Sequence, residues 1–132
     1  MFQEEVAFRI TAAPQTEHYG RLAVLAQWVA ACSVGLRLPP GAFRPPPRVH
    51  SAVVVITPHA GQPPPDLFRA MERVTAAAFG QRRKMLRGSL KSLGQAEALL
   101  EECNVAGERR AEELPVSAFD ALARAVLRRE GK

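Results

Sequence analysis

The chain is poor in the residues that build metal centres and disulfide frameworks. Its 132 residues include 2 cysteines, Cys32 and Cys103, far apart and in no CxxC pair, so the expected state is two reduced packing cysteines. The three histidines, His18, His50 and His59, are scattered, with no cysteine or carboxylate at ligand spacing, and no metal is expected. Ser51 has no histidine or aspartate in a recognisable nucleophile arrangement, which argues against a hydrolase. No apolar run approaches the roughly 20 residues that span a bilayer. The first residues carry Glu4 and Glu5 and no long apolar segment, so no secretory signal is read there. A cytoplasmic chain without membrane association is the expectation.

Acidic side chains are missing from one stretch. Between Arg73 and Ala96 stand Arg73, Arg82, Arg83, Lys84, Arg87 and Lys91, with no aspartate or glutamate. The residues before Leu67 are nearly balanced and those after Ala96 carry more acid than base, so this stretch supplies the net charge of +5. A localised basic patch suits a polyanion, whereas a solvated helix face would normally interleave acids for i,i+4 pairing.

Apolar side chains make up 47% of the sequence, enough for the packed core of one ordinary domain. Phe2, Val6, Ile10 and Ala13 recur at helical spacing and predict a helix from Met1 to Ala13, stopped by Pro14. A second helix is expected over Tyr19–Ala31, with Leu22, Leu25, Trp28 and Val29 facing inward. Alternation in Val34–Leu38 predicts a short strand, and a second follows over Val49–Thr57. The centre of the latter, Val53-Val54-Val55-Ile56, has the unbroken β-branched run of a strand buried on both faces. Two strands cannot bury such a run, which reads as the end of a larger α/β sheet.

Gly61-Gln62-Pro63-Pro64-Pro65 reads as a stiff linker, after which the pattern is all helical. Asp66 is a candidate cap for a helix carrying Leu67, Met71, Val74 and Ala78. A helix over Arg82–Leu93 would set Arg83, Arg87 and Lys91 in a stripe beside Leu86, Leu90 and Leu93. A short helix is expected over Gln95–Cys103, ending at Asn104, and a last one from a Ser117 cap through Phe119, Leu122, Ala123, Val126 and Leu127. Arg21 is expected to bridge helix and sheet, and Trp28 to be a core residue.

Between the two strands lies Ala42-Phe43-Arg44-Pro45-Pro46-Pro47-Arg48-Val49-His50-Ser51-Ala52-Val53-Val54. Prolines restrict the loop's conformations and can hold Phe43 where its ring stacks on something flat, with Arg44 and Arg48 placed to meet phosphates on either side. Residue chemistry alone also allows Phe43 to be a buried loop anchor and the arginines to solvate the loop.

This block, together with Met1-Phe2-Gln3-Glu4-Glu5-Val6-Ala7-Phe8-Arg9-Ile10, Tyr19-Gly20-Arg21-Leu22-Ala23-Val24 and Ala78-Phe79-Gly80-Gln81-Arg82-Arg83-Lys84-Met85-Leu86-Arg87, runs in the order seen in the small-subunit ribosomal RNA adenine N6-dimethyltransferases, the KsgA/RsmA family, and resembles their C-terminal portion. The resemblance implies an α/β remnant (the last helices and two strands of a Rossmann-like methyltransferase sheet) over residues 1–60, a Pro-rich linker over 61–65 and a small all-α rRNA-binding domain over 66–132. It implies methyl transfer from S-adenosylmethionine to adenine N6 in a hairpin near the 3′ end of small-subunit rRNA, with the small ribosomal subunit as partner. Phe43 resembles the aromatic that holds the flipped target adenine, and the resemblance favours stacking over the anchor reading. Arg44, Arg48, Arg82, Arg83, Lys84, Arg87 and Lys91 are the RNA-binding candidates.

The chain departs from the family in having no glycine-rich GxGxG turn and no Asn-Leu-Pro-Tyr-type catalytic motif. It is therefore not expected to bind S-adenosylmethionine or to methylate RNA without the N-terminal methyltransferase half. The alternatives are a stand-alone nucleic-acid-binding or ribosome-assembly module whose basic helix enters a DNA groove, and a structural fragment whose apolar edge drives dimerisation.

Overall fold

A computed structural model describes residues 1–42 and 49–130. Phe43, Arg44 and Arg48 lie outside the described residues. The chain begins with a two-residue strand, β1 (Phe2–Gln3), that runs directly into α1 (Glu4–Thr11). α2 (Arg21–Val29) passes without a connecting residue into β2 (Ala30–Leu38), and a 3₁₀ turn (Pro40–Ala42) precedes β3 (Ser51–Pro58). Then come α3 (Pro65–Gly80), α4 (Leu86–Ser89), a 3₁₀ turn (Leu90–Leu93), α5 (Ala96–Glu102), a 3₁₀ turn (Ala111–Glu113) and α6 (Val116–Glu130).

The sheet is antiparallel with order β1-β3-β2. β2 and β3 pair along their length, from Ala30 opposite Pro58 to Leu38 opposite Ser51, with an irregularity between Val34 and Leu36. Gly35 sits at that irregularity, where an added Cβ would lie 2.9 Å from Val55 Cγ2. β1 reaches only Ser51 and Ala52, so the rest of β3 is flanked by β2 alone. As expected for an apolar run with so few strands around it, the centre of β3 is not buried on both faces in this chain. Val55 and Ile56 are 49% and 50% exposed, because their burial needs neighbours that β1 is too short to supply. Phe2 and Gln3, predicted to be helical, form β1 instead, since backbone pairing with β3 outweighs local helical spacing.

The main core lies in the helical part. Tyr19, Ala23 and Val24 of the α2 region pack with Leu67, Met71 and Val74 of α3, Leu86 of α4, Leu99 of α5 and Phe119, Leu122 and Val126 of α6. Helix α2 thus buries Ala23 and Val24, and Leu22, expected inward, is exposed. Arg21 joins helix to helix rather than helix to sheet: its Nε donates to Thr75 Oγ1 (3.2 Å) and an Nη to Glu72 O (3.1 Å), both on α3. Trp28 is half-buried against Phe68, ring centroids 5.8 Å apart, and its Nε1 donates to Asp120 (2.9 Å).

Several boundaries shift for local reasons. Pro65 takes the first position of α3, where its missing N–H costs nothing, so Asp66 is a helical residue whose carboxylate accepts from Leu67 N (2.8 Å) rather than a cap. The last helix likewise starts at Val116, one residue before Ser117. Gln62, in the proline-rich segment, donates to Val29 O (2.9 Å) and His59 O (2.8 Å), tying the end of β3 to the end of α2. Asn104 adopts φ 56°, the left-handed geometry that ends α5, and Val105 N closes the turn on Leu100 O (2.8 Å). No helix among the described residues is long and apolar enough to cross a membrane.

Candidate nucleic-acid interface

The basic segment is not one helix. After α3 ends at Gly80 the chain makes a tight turn through Gln81–Lys84, closed by Lys84 N on Gln81 O (2.9 Å), and α4 begins only at Leu86. The first amides of α4 are occupied by a passing segment: Leu86 N donates to Arg109 O (2.8 Å) and Arg87 N to Gly107 O (3.1 Å). That segment comes close because Gly107 has no side chain; a Cβ there would meet Arg87 Cβ at 3.2 Å. Leu86 and Leu90 are buried, which sets the opposite side of the element outward. The predicted stripe therefore changes form. Arg83 lies on the turn, while Arg87 and Lys91 lie on α4 and the 3₁₀ turn after it. A four-residue α4 is too short to serve as a helix laid in a DNA groove.

Lys84, Arg87 and Lys91 line one shallow groove of about 420 Å³ with Met85, Gly88 and Glu97. Met85 is exposed beside them, an apolar surface among cations. The acid-free stretch of sequence meets some acids in space. Arg73 pairs with Glu130, and Arg87 stands 3.8 Å from Glu108. Among the described residues Arg83, Lys84 and Lys91 have no acidic partner within salt-bridge distance. Arg82 differs from the rest: an Nη donates to Tyr19 O (2.8 Å), and its guanidinium carbon sits 5.9 Å from the Phe79 ring centroid. Tyr19 is itself fully buried, its hydroxyl donates to Leu114 O (2.6 Å), and burial pushes that hydroxyl up to about 12. The basic turn is thus anchored to the core through Arg82 and Tyr19, an anchorage that charge counting along the sequence does not reveal.

A second constellation lies at the base of the proline loop. Glu4 N donates to His50 O (2.9 Å), and the Glu4 carboxylate accepts from Arg37 Nε (3.0 Å) and an Arg37 Nη (2.9 Å). The Arg37 guanidinium holds the Glu4 carboxyl below its usual range and also sits over the Phe8 ring, 5.4 Å from its centroid. One residue, Glu4, therefore ties both flanks of the β2–β3 connection.

This partial antiparallel sheet with helices packed around it is part of a methyltransferase fold. It superposes on a dimethyladenosine transferase from Plasmodium falciparum with a TM-score of 0.78 at 21% identity, covering 92% of this chain and 53% of that one. It superposes on the 23S rRNA methyltransferase ErmE with a TM-score of 0.63 at 20% identity, covering 94% and 52%. A sequence profile described as ribosomal RNA adenine dimethylase matches residues 1–126, and the chain belongs to that family. Curated relatives named ribosomal RNA small subunit methyltransferase A include one from Gluconobacter oxydans (strain 621H), 68% identical over 123 residues, 93% of this chain and 40% of the relative. Another, from Paramagnetospirillum magneticum (strain ATCC 700264 / AMB-1), is 55% identical over 126 residues, 96% of this chain and 45% of the relative. The chain thus spans less than half the length of these relatives.

The described residues do not fit S-adenosylmethionine. A cofactor cradle of the Rossmann type needs a strand whose end turns on glycines into a helix N-terminus. Here β1 enters α1 at Gln3–Glu4 with no glycine and with two glutamates in the first turn, and β3 reaches α3 through prolines, with Pro65 removing an N–H from its first position.

Proposed function

We propose that this chain provides rRNA docking and one wall of the target-adenine pocket of an S-adenosylmethionine-dependent small-subunit rRNA adenine N6-dimethyltransferase. In this reading residues 1–60 are the end of a Rossmann-like sheet, 61–65 the linker and 66–132 an all-α rRNA-binding domain. The observation that carries it is the groove in which Lys84, Arg87 and Lys91 converge beside Arg83, in a chain 68% identical to a relative named as a small-subunit rRNA methyltransferase. The groove carries three cations against the single carboxylate of Glu97, and Lys84 and Lys91 form no ion pair among the described residues, a balance that suits phosphates; release of condensed counterions drives such binding. The RNA partner is a hairpin near the 3′ end of small-subunit rRNA, within the small ribosomal subunit in the cytoplasm.

Phe43 stacks on the extruded adenine, which offsets part of the cost of taking the base out of its stack, and Arg44 and Arg48 meet flanking phosphates. The chain is inactive alone: cofactor and amine-binding groups come from an N-terminal methyltransferase half. Binding of this chain to a labelled stem-loop from the 3′ end of small-subunit rRNA, titrated against salt, tests the docking role. Replacing Arg83, Lys84, Arg87 and Lys91 together by alanine is expected to lower affinity at least tenfold and to flatten the salt dependence. Equal affinity and slope in the variant would sink the reading.

A further inference from the structure

Arg82 faces a second depression. A cleft of about 300 Å³ opens between α1, the start of α2 and the basic turn, and its lining includes Arg9, Arg21, Arg82 and Gly20 together with Glu5 and Glu17. Arg21 and Arg82 are both held in place, yet neither by a carboxylate. Thr75 Oγ1 and Glu72 O accept from Arg21, and Tyr19 O accepts from Arg82. Each guanidinium has five N–H donors, so fixed donors and uncompensated charge remain on both. Arg9 is occupied by Glu5 at 2.8 Å, which leaves Glu17 as the acid that subtracts from the cleft. Gly20 in the lining is bare: its backbone is extended, and apart from its chain neighbours Tyr19 and Arg21 no atom lies within 4 Å of where its Cβ would be. The wall is rigid, because Tyr19 next to it is fully buried and bonded to Leu114.

We propose that this cleft is a second phosphate site, which takes a backbone phosphodiester of the RNA held in the Lys84–Arg87–Lys91 groove. It rests on the docking reading above and adds to it a defined seat on the other side of the basic turn. Arg82 is then both the strut that fixes the turn and one jaw of the seat, with Arg21 the other. Donors already held by neutral acceptors lose little freedom on binding, which favours a phosphate there over one met by mobile lysines.

Gly20→Asp tests the seat without disturbing the packing. The extended backbone and open space accept any side chain, and aspartate at the position preceding α2 is a good helix cap. The variant should melt at the same or a higher temperature. Its carboxylate occupies the phosphate position, so affinity for the 3′ stem-loop RNA should fall about tenfold and the slope of log K against log salt should shrink by about 1. Gly20→Ser, which caps without charge, should bind like the parent chain, and Glu17→Gln should bind several-fold more tightly. Unchanged affinity and slope in Gly20→Asp would overturn the seat. Should the Arg83, Lys84, Arg87 and Lys91 variant lose binding while Gly20→Asp keeps it, the groove stands and the cleft falls. Absence of salt-dependent binding in the parent chain removes both.

Discussion

The Tyr19 hydroxyl donates to Leu114 O at 2.6 Å, joining residues 95 apart in sequence across the core. Tyr19→Phe would leave that buried carbonyl unpartnered and should destabilise the chain by about 1–2 kcal/mol in urea titration. The bond also predicts an alkaline limb. Burial raises the hydroxyl from its ordinary 10.0 to about 12, so the folded state favours the neutral phenol. Its contribution is fully present below pH 10 and is lost as pH rises toward 12. Tyr19→Phe should lack that part of the loss.

At the strand irregularity, Gly35→Ala should cost about 1–3 kcal/mol, because the new methyl would press on Val55 Cγ2, the end of a stiff side chain. Val55→Ala, at a half-exposed position, should have a small effect alone and should restore most of the stability of Gly35→Ala. A double-mutant cycle measures the coupling, and simple additivity would refute the steric account.

Ser89 carries a buried hydroxyl with no hydrogen-bond partner among the described residues. Ser89→Ala removes an unsatisfied polar group and should leave stability unchanged or raise it by up to about 1 kcal/mol. A clear loss on thermal melting would mean that the hydroxyl is in fact bonded.

Glu4 sets an acid limb at the loop base. Arg37 holds its carboxyl below the ordinary 4.5, so the stabilisation is present above that value and is lost as pH falls through the lowered one. Amide exchange at Ser51 and Ala52 should speed up over that interval in the parent chain. Glu4→Gln should show faster exchange at neutral pH and no further acid-driven change.

Much of this architecture was legible in the sequence, and the exceptions have physical reasons. Long amphipathic stretches announced α3 and α6 because their core contacts repeat at helical spacing. β1 carried no signal, since two residues that pair with a distant strand look locally like the start of α1. The basic run was visible as a charge pattern, but its division was not. That Arg82 turns inward to a backbone carbonyl while Lys84, Arg87 and Lys91 share a groove depends on where Tyr19 and Gly107 lie in space. Arg21 was recognisable as a bridging residue, yet its partner depends on how α2 packs, and the partner is α3.

Helix α2 passes into β2 with no residue between Val29 and Ala30, and Gln62 binds that junction to the end of β3. A hinge needs slack, and none is provided here. Through α2 and the bond from Arg82 to Tyr19, the sheet and the basic turn are spaced by one helix, as the jaws of a calliper are by its beam. A ligand that engages both ends must come with the matching span.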